Sequence, residues 1–267
     1  MTSLPATVPI FEMAGVAFSA LRPPRSVIGE DICWTVQPGE YWAIAGLHGS
    51  GKSDFLLMTA GLMAPVRGTY RFLGEEMPIF DEARLAHRLR LGLVFDGGQP
   101  FNRLTVRENI ALPLRYHENL DTAEADARLD AMIEHLGLSE WANTPTGGLG
   151  RNVQKKVGLA RALILRPEVL LLDNPLGGLD FRHSDWWLRT LDQLSKGEEV
   201  LPGKPMTLIV TTADIRPWKG RAGHFALLAN RRFSALGDWS GVEGATPEMM
   251  KELLPREPGG VDASALI

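Results

Sequence analysis

Two hydrophobic textures alternate along the chain. Short runs in which nearly every residue is apolar are bounded by turn residues, and longer stretches repeat apolar residues every three or four positions. The first pattern predicts buried strands and the second predicts helices. "DICWTVQPGEYWAIAG" contains two strand-like runs joined by a turn at Gln37-Pro38-Gly39-Glu40, and the second run, Tyr41 to Ala45, feeds a glycine-rich loop. "SDFLLMTAGL" has helical character, "GTYRFLGEEM" reads as strand and turn, and "LRLGLVF" as a further buried strand. From Gly97 to Gly148 the texture changes. "TAEADARLDAMIEHLGL" sets Leu129, Ile133 and Leu136 at helical spacing, so this region reads as a helical lobe. The helix "VQKKVGLARALIL", the strand "EVLLLD", the helix "WWLRTLDQLSK", the strand "MTLIVTT" and a terminal hairpin "HFALLANRRFSALG" follow. "KGEEVLPGKP" reads as a polar loop. The tail after Gly241 is mostly polar, and its final "PGGVDASALI" is expected to be mobile. Strands alternating with helices predict an α/β core.

Composition narrows the class. A chain of 267 residues, 45% of them hydrophobic, can build one substantial domain with a smaller lobe. A net charge of −4 carries no electrostatic footprint for nucleic acid. The single cysteine, Cys33, excludes an internal disulfide framework, fits a reducing compartment, and is expected to pack in its strand. No apolar run reaches membrane-spanning length, and "MTSLPATVPIFEM" lacks the charged leader and apolar core of a signal peptide. The expectation is a cytoplasmic protein able to dock onto a membrane partner. The histidines are too scattered for a metal site, "EARLAHRLR" reads as a solvated helix face, and Trp186 and Trp187 as packing residues.

The chemistry concentrates in "GLHGSGKS", Gly46 to Ser53, which fits G-x-x-x-x-G-K-[ST] with a strand before it and a helix after it. Gly46, Gly49, Ser50 and Gly51 let the backbone wrap a phosphate, and His48 occupies a variable position within the same loop. Lys52 would reach the outer phosphates and the Ser53 hydroxyl would ligate Mg²⁺. A glycine-rich turn with an incidental lysine is the bland alternative; the strand–loop–helix context outweighs it. Asp173, at the tip of "EVLLLD", suits the second magnesium-holding position.

These motifs, in this order, resemble the ATP-binding subunits of ABC transporters over about Phe11 to Gly237. "LGLVFDGGQPFNRLTVRENIALPL" is similar to the segment around their Q-loop, and closest in wording to ATPases of MCE-type, lipid-asymmetry transporters. "VQKKVGLARALILRPEVLLLDNPLGGLD" is similar to the run from signature helix to D-loop, with Asp180 on the D-loop aspartate. The resemblance implies a P-loop ABC-type nucleotide-binding domain with a RecA-like core, an antiparallel β portion and a helical subdomain. Its implied boundaries are residues 1–95 and 155–240 for the core, 96–154 for the helical subdomain and signature region, and 241–267 for the tail.

The same register exposes departures. The signature Leu-Ser-Gly-Gly-Gln is replaced by Leu149, Gly150, Arg151, Asn152 and Val153, where side chains could obstruct a phosphate or, at Arg151, meet it electrostatically. "TGG", Thr146 to Gly148, lies three residues upstream and would serve only in a shifted loop. The Q-loop glutamine is Asp96, a carboxylate that can still touch magnesium, and Gln99 could substitute if the loop shifts. The switch histidine is Thr212, and the adenine-stacking aromatic aligns with Ala20, Phe18 being read as a strand residue. The residue after Asp173 is Asn174, where the family carries a glutamate. An amide orients water but cannot take its proton, and general-base help is worth roughly 10²–10⁴ in rate. The resemblance therefore implies a degenerate subunit that binds ATP and Mg²⁺ with weak or no hydrolysis. It would lie peripherally on the inner membrane face, with an integral-membrane permease and a second ATP-binding subunit, a heterodimer being favoured over a homodimer. A soluble ABC-type regulator or scaffold is the alternative. A P-loop kinase would need a lid and substrate site that the sequence does not supply.

Overall fold

The computed structural model of the protein describes residues 8–254, apart from residues 24, 78, 80, 119–121, 199–202 and 204. In chain order the first elements are β1 (Phe11–Ser19), β2 (Val27–Val36), β3 (Tyr41–Ala45), α1 (Lys52–Thr59), β4 (Arg67–Phe72), β5 (Glu75–Glu76), α2 (Leu85–Arg88) and β6 (Leu91–Val94). Then come α3 (Val106–His117), α4 (Thr122–His135), α5 (Arg151–Leu163), β7 (Val169–Asp173), α6 (Phe181–Lys196) and β8 (Thr207–Thr212). The chain continues through β9 (His224–Ala229), β10 (Arg232–Gly237), α7 (Trp239–Glu243) and α8 (Pro247–Leu253).

The strands form two sheets. One is antiparallel, in the order β2-β1-β4-β5; the other runs β10-β9-β3-β8-β7-β6 and is parallel except for β10. The turn at Gln37–Glu40 thus carries the chain from one sheet into the other. The side-chain pattern explains the switch. All five residues of β3 are buried, as suits a strand covered on both faces, whereas β2 alternates buried Ile32, Trp34 and Val36 with exposed neighbours. Cys33 stands between Ile32 and Trp34 and therefore faces outward. It lies in its strand as expected but is exposed rather than packed, and its Sγ accepts the Gly15 N–H at 3.4 Å.

The parallel sheet divides two cores. Ala43, Leu170, Leu172, Leu208 and Val210 face a core closed by α3 to α6, while Trp42, Ile44, Leu171 and Ile209 face a core shared with α1 and the antiparallel sheet. Alternation with period two along each strand sends consecutive residues to opposite cores. Leu129, Ile133 and Leu136 of the expected helical lobe are buried in the first core. That lobe is held by a T-x-x-E capping box at the start of α3, Thr105 with Glu108. Its entry loop is stapled by buried Asn109, whose Nδ2 donates to the carbonyls of Phe101 (3.2 Å), Leu104 (3.2 Å) and Thr105 (3.0 Å).

"EARLAHRLR" is only partly solvated. It forms a short 3₁₀ turn and the single turn α2, tied down by His87 Nε2 against the Phe72 carbonyl oxygen and by Arg90 on Glu168. The tail is more structured than its polarity suggested: α7 and α8 bury Val242 and Leu253 in the first core. The terminal "PGGVDASALI" and most of the N-terminal leader lie outside the described residues, as does half of "KGEEVLPGKP". Among the described residues no helix is long and apolar enough to cross a membrane.

Candidate functional site

The glycine-rich loop leaves the buried end of β3 and turns directly into α1. Gly49 and Gly51 adopt φ of 82° and 89°, a region that residues with a Cβ rarely enter, so the loop can curl back over the helix start. Gly51 is the N-cap of α1 and supplies no side-chain acceptor, which leaves the first N–H groups of the helix without a capping partner. A cradle of amides at a helix N-terminus favours an anion. Lys52 Nζ lies within this loop and donates to the carbonyls of Gly46 (2.6 Å) and Leu47 (2.8 Å). Burial holds its pKa below the usual lysine value, with Asp173 and Glu252 acting in the opposite direction. His48 is exposed at the loop tip and Ser53 is exposed at the second position of α1.

Asp173 ends β7 beside β8, where the Thr211 hydroxyl donates to its Oδ1 at 2.8 Å. Ser53, Asp173, Asp96 and Gln99 line one cavity of about 580 Å³, together with Ala20 and the exposed Leu21. Oxygen donors without imidazole or thiolate suit a hard divalent cation of the Mg²⁺ type. Such an ion needs only one or two carboxylates beside phosphate and water. Among the described residues no three His, Cys, Asp or Glu side chains are placed to hold a metal ion by themselves, so phosphate and water oxygens would have to complete the shell. The residues present thus fit magnesium. Phe18 is fully buried against Phe55, ring centroids 5.7 Å apart, as a strand residue.

The turn after Asp173 is held in an unusual shape. Asn174 has φ of 46°, a left-handed conformation that asparagine tolerates better than most residues. Its N–H donates to Thr211 Oγ1 at 3.1 Å, and its side-chain amide packs closely over Gly177. Lys155 of α5, fully buried, donates to the carbonyls of Asn174 (2.8 Å) and Pro175 (3.0 Å) and approaches Asp96 Oδ1 at 3.3 Å. Burial lowers the Lys155 pKa, and Asp96 partly offsets this. Thr212 is buried, its hydroxyl donating to the Asp214 carbonyl at 2.8 Å.

The segment Leu149–Val153 leads into α5 as its N-cap and first turn. Gly150 is the N-cap and Arg151 the first helical residue, while Thr146–Gly148 forms a separate 3₁₀ turn upstream. Arg151 reaches Asp96 Oδ1 at 2.8 Å. Asn152 turns the other way and accepts the indole N–H of fully buried Trp187 at 3.1 Å. The neighbouring Trp186 carries Lys156 Nζ 3.7 Å above its ring. Both tryptophans belong to α6, which starts beside Asp180, and both pack as expected. The loop from Phe95 to Gln99 is pressed onto α5. A Cβ on Gly98 would lie 2.1 Å from the Gln154 carbonyl oxygen, and Arg161 donates to the carbonyls of Gly98 (3.2 Å) and Gln99 (3.1 Å).

Lys155, Thr211 and Arg161 were not singled out from the sequence. The one available signal for Lys155 and Arg161 was their place on a helix whose other residues read as core-facing; Thr211 carried none, being one more β-branched residue in a buried strand.

The family model for "ABC transporter" matches residues 30–177. The macrolide export ATP-binding/permease protein MacB of Azoarcus sp. is 35% identical over 199 residues, covering 73% of this chain and 30% of that protein, so this chain spans less than a third of that relative's length. The intermembrane phospholipid transport system ATP-binding protein MlaF of Escherichia coli is 27% identical over 246 residues, 92% of this chain and 88% of MlaF. Among solved structures, the dimeric ATP-binding cassette MJ0796, in a post-hydrolysis state bound to ADP and Pi, superposes with a TM-score of 0.73. The identity is 24%, covering 83% of this chain and 95% of that one.

Proposed function

This chain belongs to the ABC transporter family, and from that membership we propose that it is an ATP-binding subunit that binds Mg-ATP and hydrolyses it weakly or not at all. The observation that carries the reading is the contrast across one sheet edge. The loop with Lys52 and Ser53 keeps the geometry of a phosphate cradle beside Asp173, while the next residue, Asn174, has no basic oxygen. Magnesium would be held by Ser53 and Asp173 and would neutralise phosphate charge there. Lys52 is within reach of the same loop to meet the outer phosphates, at the expense of its present bonds to the Gly46 and Leu47 carbonyls.

The reading extends to partners. Likeness to MlaF over nearly its whole length supports a subunit of a bacterial lipid transport system. The exposed Phe101, at the entry to the helical lobe, supports an apolar contact with an integral-membrane permease. The dimeric cassette of the same fold supports pairing with a second ATP-binding subunit. A heterodimer with a catalytically complete partner fits best, because this chain's Asn174 and its Gly150–Arg151–Asn152 segment would each fall in a different shared site.

The test is a set of nucleotide-binding and turnover measurements. Lys52→Ala is expected to weaken ATP binding markedly in calorimetry; unchanged affinity would remove the reading. Asn174→Glu is expected to raise turnover in the complex with the partner ATPase and to do little in the isolated chain. Equal responses in both assemblies would sink the pairing.

A further inference from the structure

Asp96 belongs to two sites at once. Its carboxylate lines the cavity that also holds Ser53 and Asp173, and the same Oδ1 is engaged by Arg151 at 2.8 Å and Lys155 at 3.3 Å. The other cavity carboxylates are engaged differently. Asp54 Oδ1 accepts the Leu21 N–H at 2.9 Å, and Asp173 Oδ1 accepts the Thr211 hydroxyl at 2.8 Å. Neither of these oxygens is bonded by a cationic side chain, although Lys52 and Lys155 act on Asp173 through space, whereas the Asp96 oxygen is held directly by two cations. Arg151 lies half exposed on the first turn of α5, with its guanidinium also against Gly178 of the turn that follows Asn174. Lys155 is anchored independently by the Asn174 and Pro175 carbonyls and keeps them if Asp96 moves away.

We infer that Asp96 is an exchangeable latch, for which a divalent cation in the cavity and Arg151 of α5 compete. This inference rests on the proposed Mg-ATP site. A cation that draws Asp96 toward Ser53 and Asp173 loosens Arg151 from the Phe95–Gln99 loop and frees a guanidinium at the α5 N-terminus, beside the Gly178 turn. By linkage the coupling is reciprocal: whatever withdraws Arg151 makes Asp96 a better cation ligand. The two replacements, at the Q-loop and signature positions, then act as one coupled device rather than as two separate losses. The Asp96–Arg151 pair is well exposed, so the coupling is modest, about two- to fivefold in affinity.

The experiment uses the full chain and a fluorescent ATP analogue, and measures affinity with Mg²⁺ and with EDTA. The readout is the factor by which Mg²⁺ tightens binding. Arg151→Ala, a change at an exposed site, is expected to raise that factor by about two- to fivefold. Asp96→Asn is expected to lower it, and the double variant to behave like Asp96→Asn alone. A factor unchanged or lowered in Arg151→Ala, or unchanged in Asp96→Asn, overturns the latch while leaving the Mg-ATP site intact. Absence of analogue binding by the wild-type chain, or binding indifferent to Lys52→Ala, overturns both.

Discussion

Replacing Lys155 by methionine should cost the fold about 2 kcal/mol, and the surroundings of its ammonium group say why. Methionine keeps most of the stem's volume, so the packing loss is small. Three acceptors lose a donor. Asp96 retains Arg151, and the Asn174 carbonyl retains the Gly177 N–H at 3.0 Å, so neither is stranded. The Pro175 carbonyl loses the Lys155 donor at 3.0 Å, and an unsatisfied buried acceptor costs about 1–3 kcal/mol. The weakened bonding at Asn174 adds about 1 kcal/mol. Removing a charge that burial already disfavours returns part of the sum. The net of about 2 kcal/mol corresponds to a Tm lower by about 4–8 °C for a chain of this size. Urea unfolding followed by tryptophan fluorescence, with a parallel thermal melt, reads it. A variant within about 0.5 kcal/mol of wild type would refute the claim that Lys155 holds the turn after Asp173.

Three further outcomes can be checked. Gly98→Ala places a Cβ 2.1 Å from the Gln154 carbonyl oxygen at a residue with φ of 75°, so it should destabilise the chain by more than about 2 kcal/mol; a urea midpoint like that of wild type would contradict the close approach to α5. Lys156 has its pKa lowered by burial to about 8, below the usual 10.5, so the folded chain loses this proton before the unfolded chain does. Its contribution makes stability rise with pH from about 8 until tyrosine ionisation in the unfolded chain takes over near about 10, and Lys156→Met should flatten that slope; an unchanged slope sinks the assignment. Phe101→Asp changes a side chain that is 59% exposed, so stability should stay within about 0.5 kcal/mol while co-purification with a membrane permease is lost; retained association would move the docking contact elsewhere.

Much of this protein was decided locally and is legible in the chain. The loop Gly46–Ser53 follows from glycine spacing between an apolar strand and a helix, and Asp173 from its place at the tip of "EVLLL". The helical face of Leu129, Ile133 and Leu136 follows from a period of three to four. Such features depend on neighbours in sequence, and short-range patterns record them. Long-range pairing left no such record. The Gln37–Glu40 turn gave no sign that it crosses between sheets, because a turn signal carries no strand order. Cys33 faces outward although it lies in a strand, because a small apolar residue there packs on whichever face the register assigns. The polar tail gave no hint that Val242 and Leu253 reach the core, since two apolar residues in a short polar stretch make no period. Above all, Asp96, Arg151 and Asn174 read from the sequence as three separate departures from a family pattern, and Lys155 as one more residue of a helix. Tertiary structure puts them in contact, because α5 crosses both the loop after β6 and the turn after β7. Charges 55 residues apart, at Asp96 and Arg151, then share one hydrogen bond. Electrostatics acts through space, and only the folded chain sets those distances.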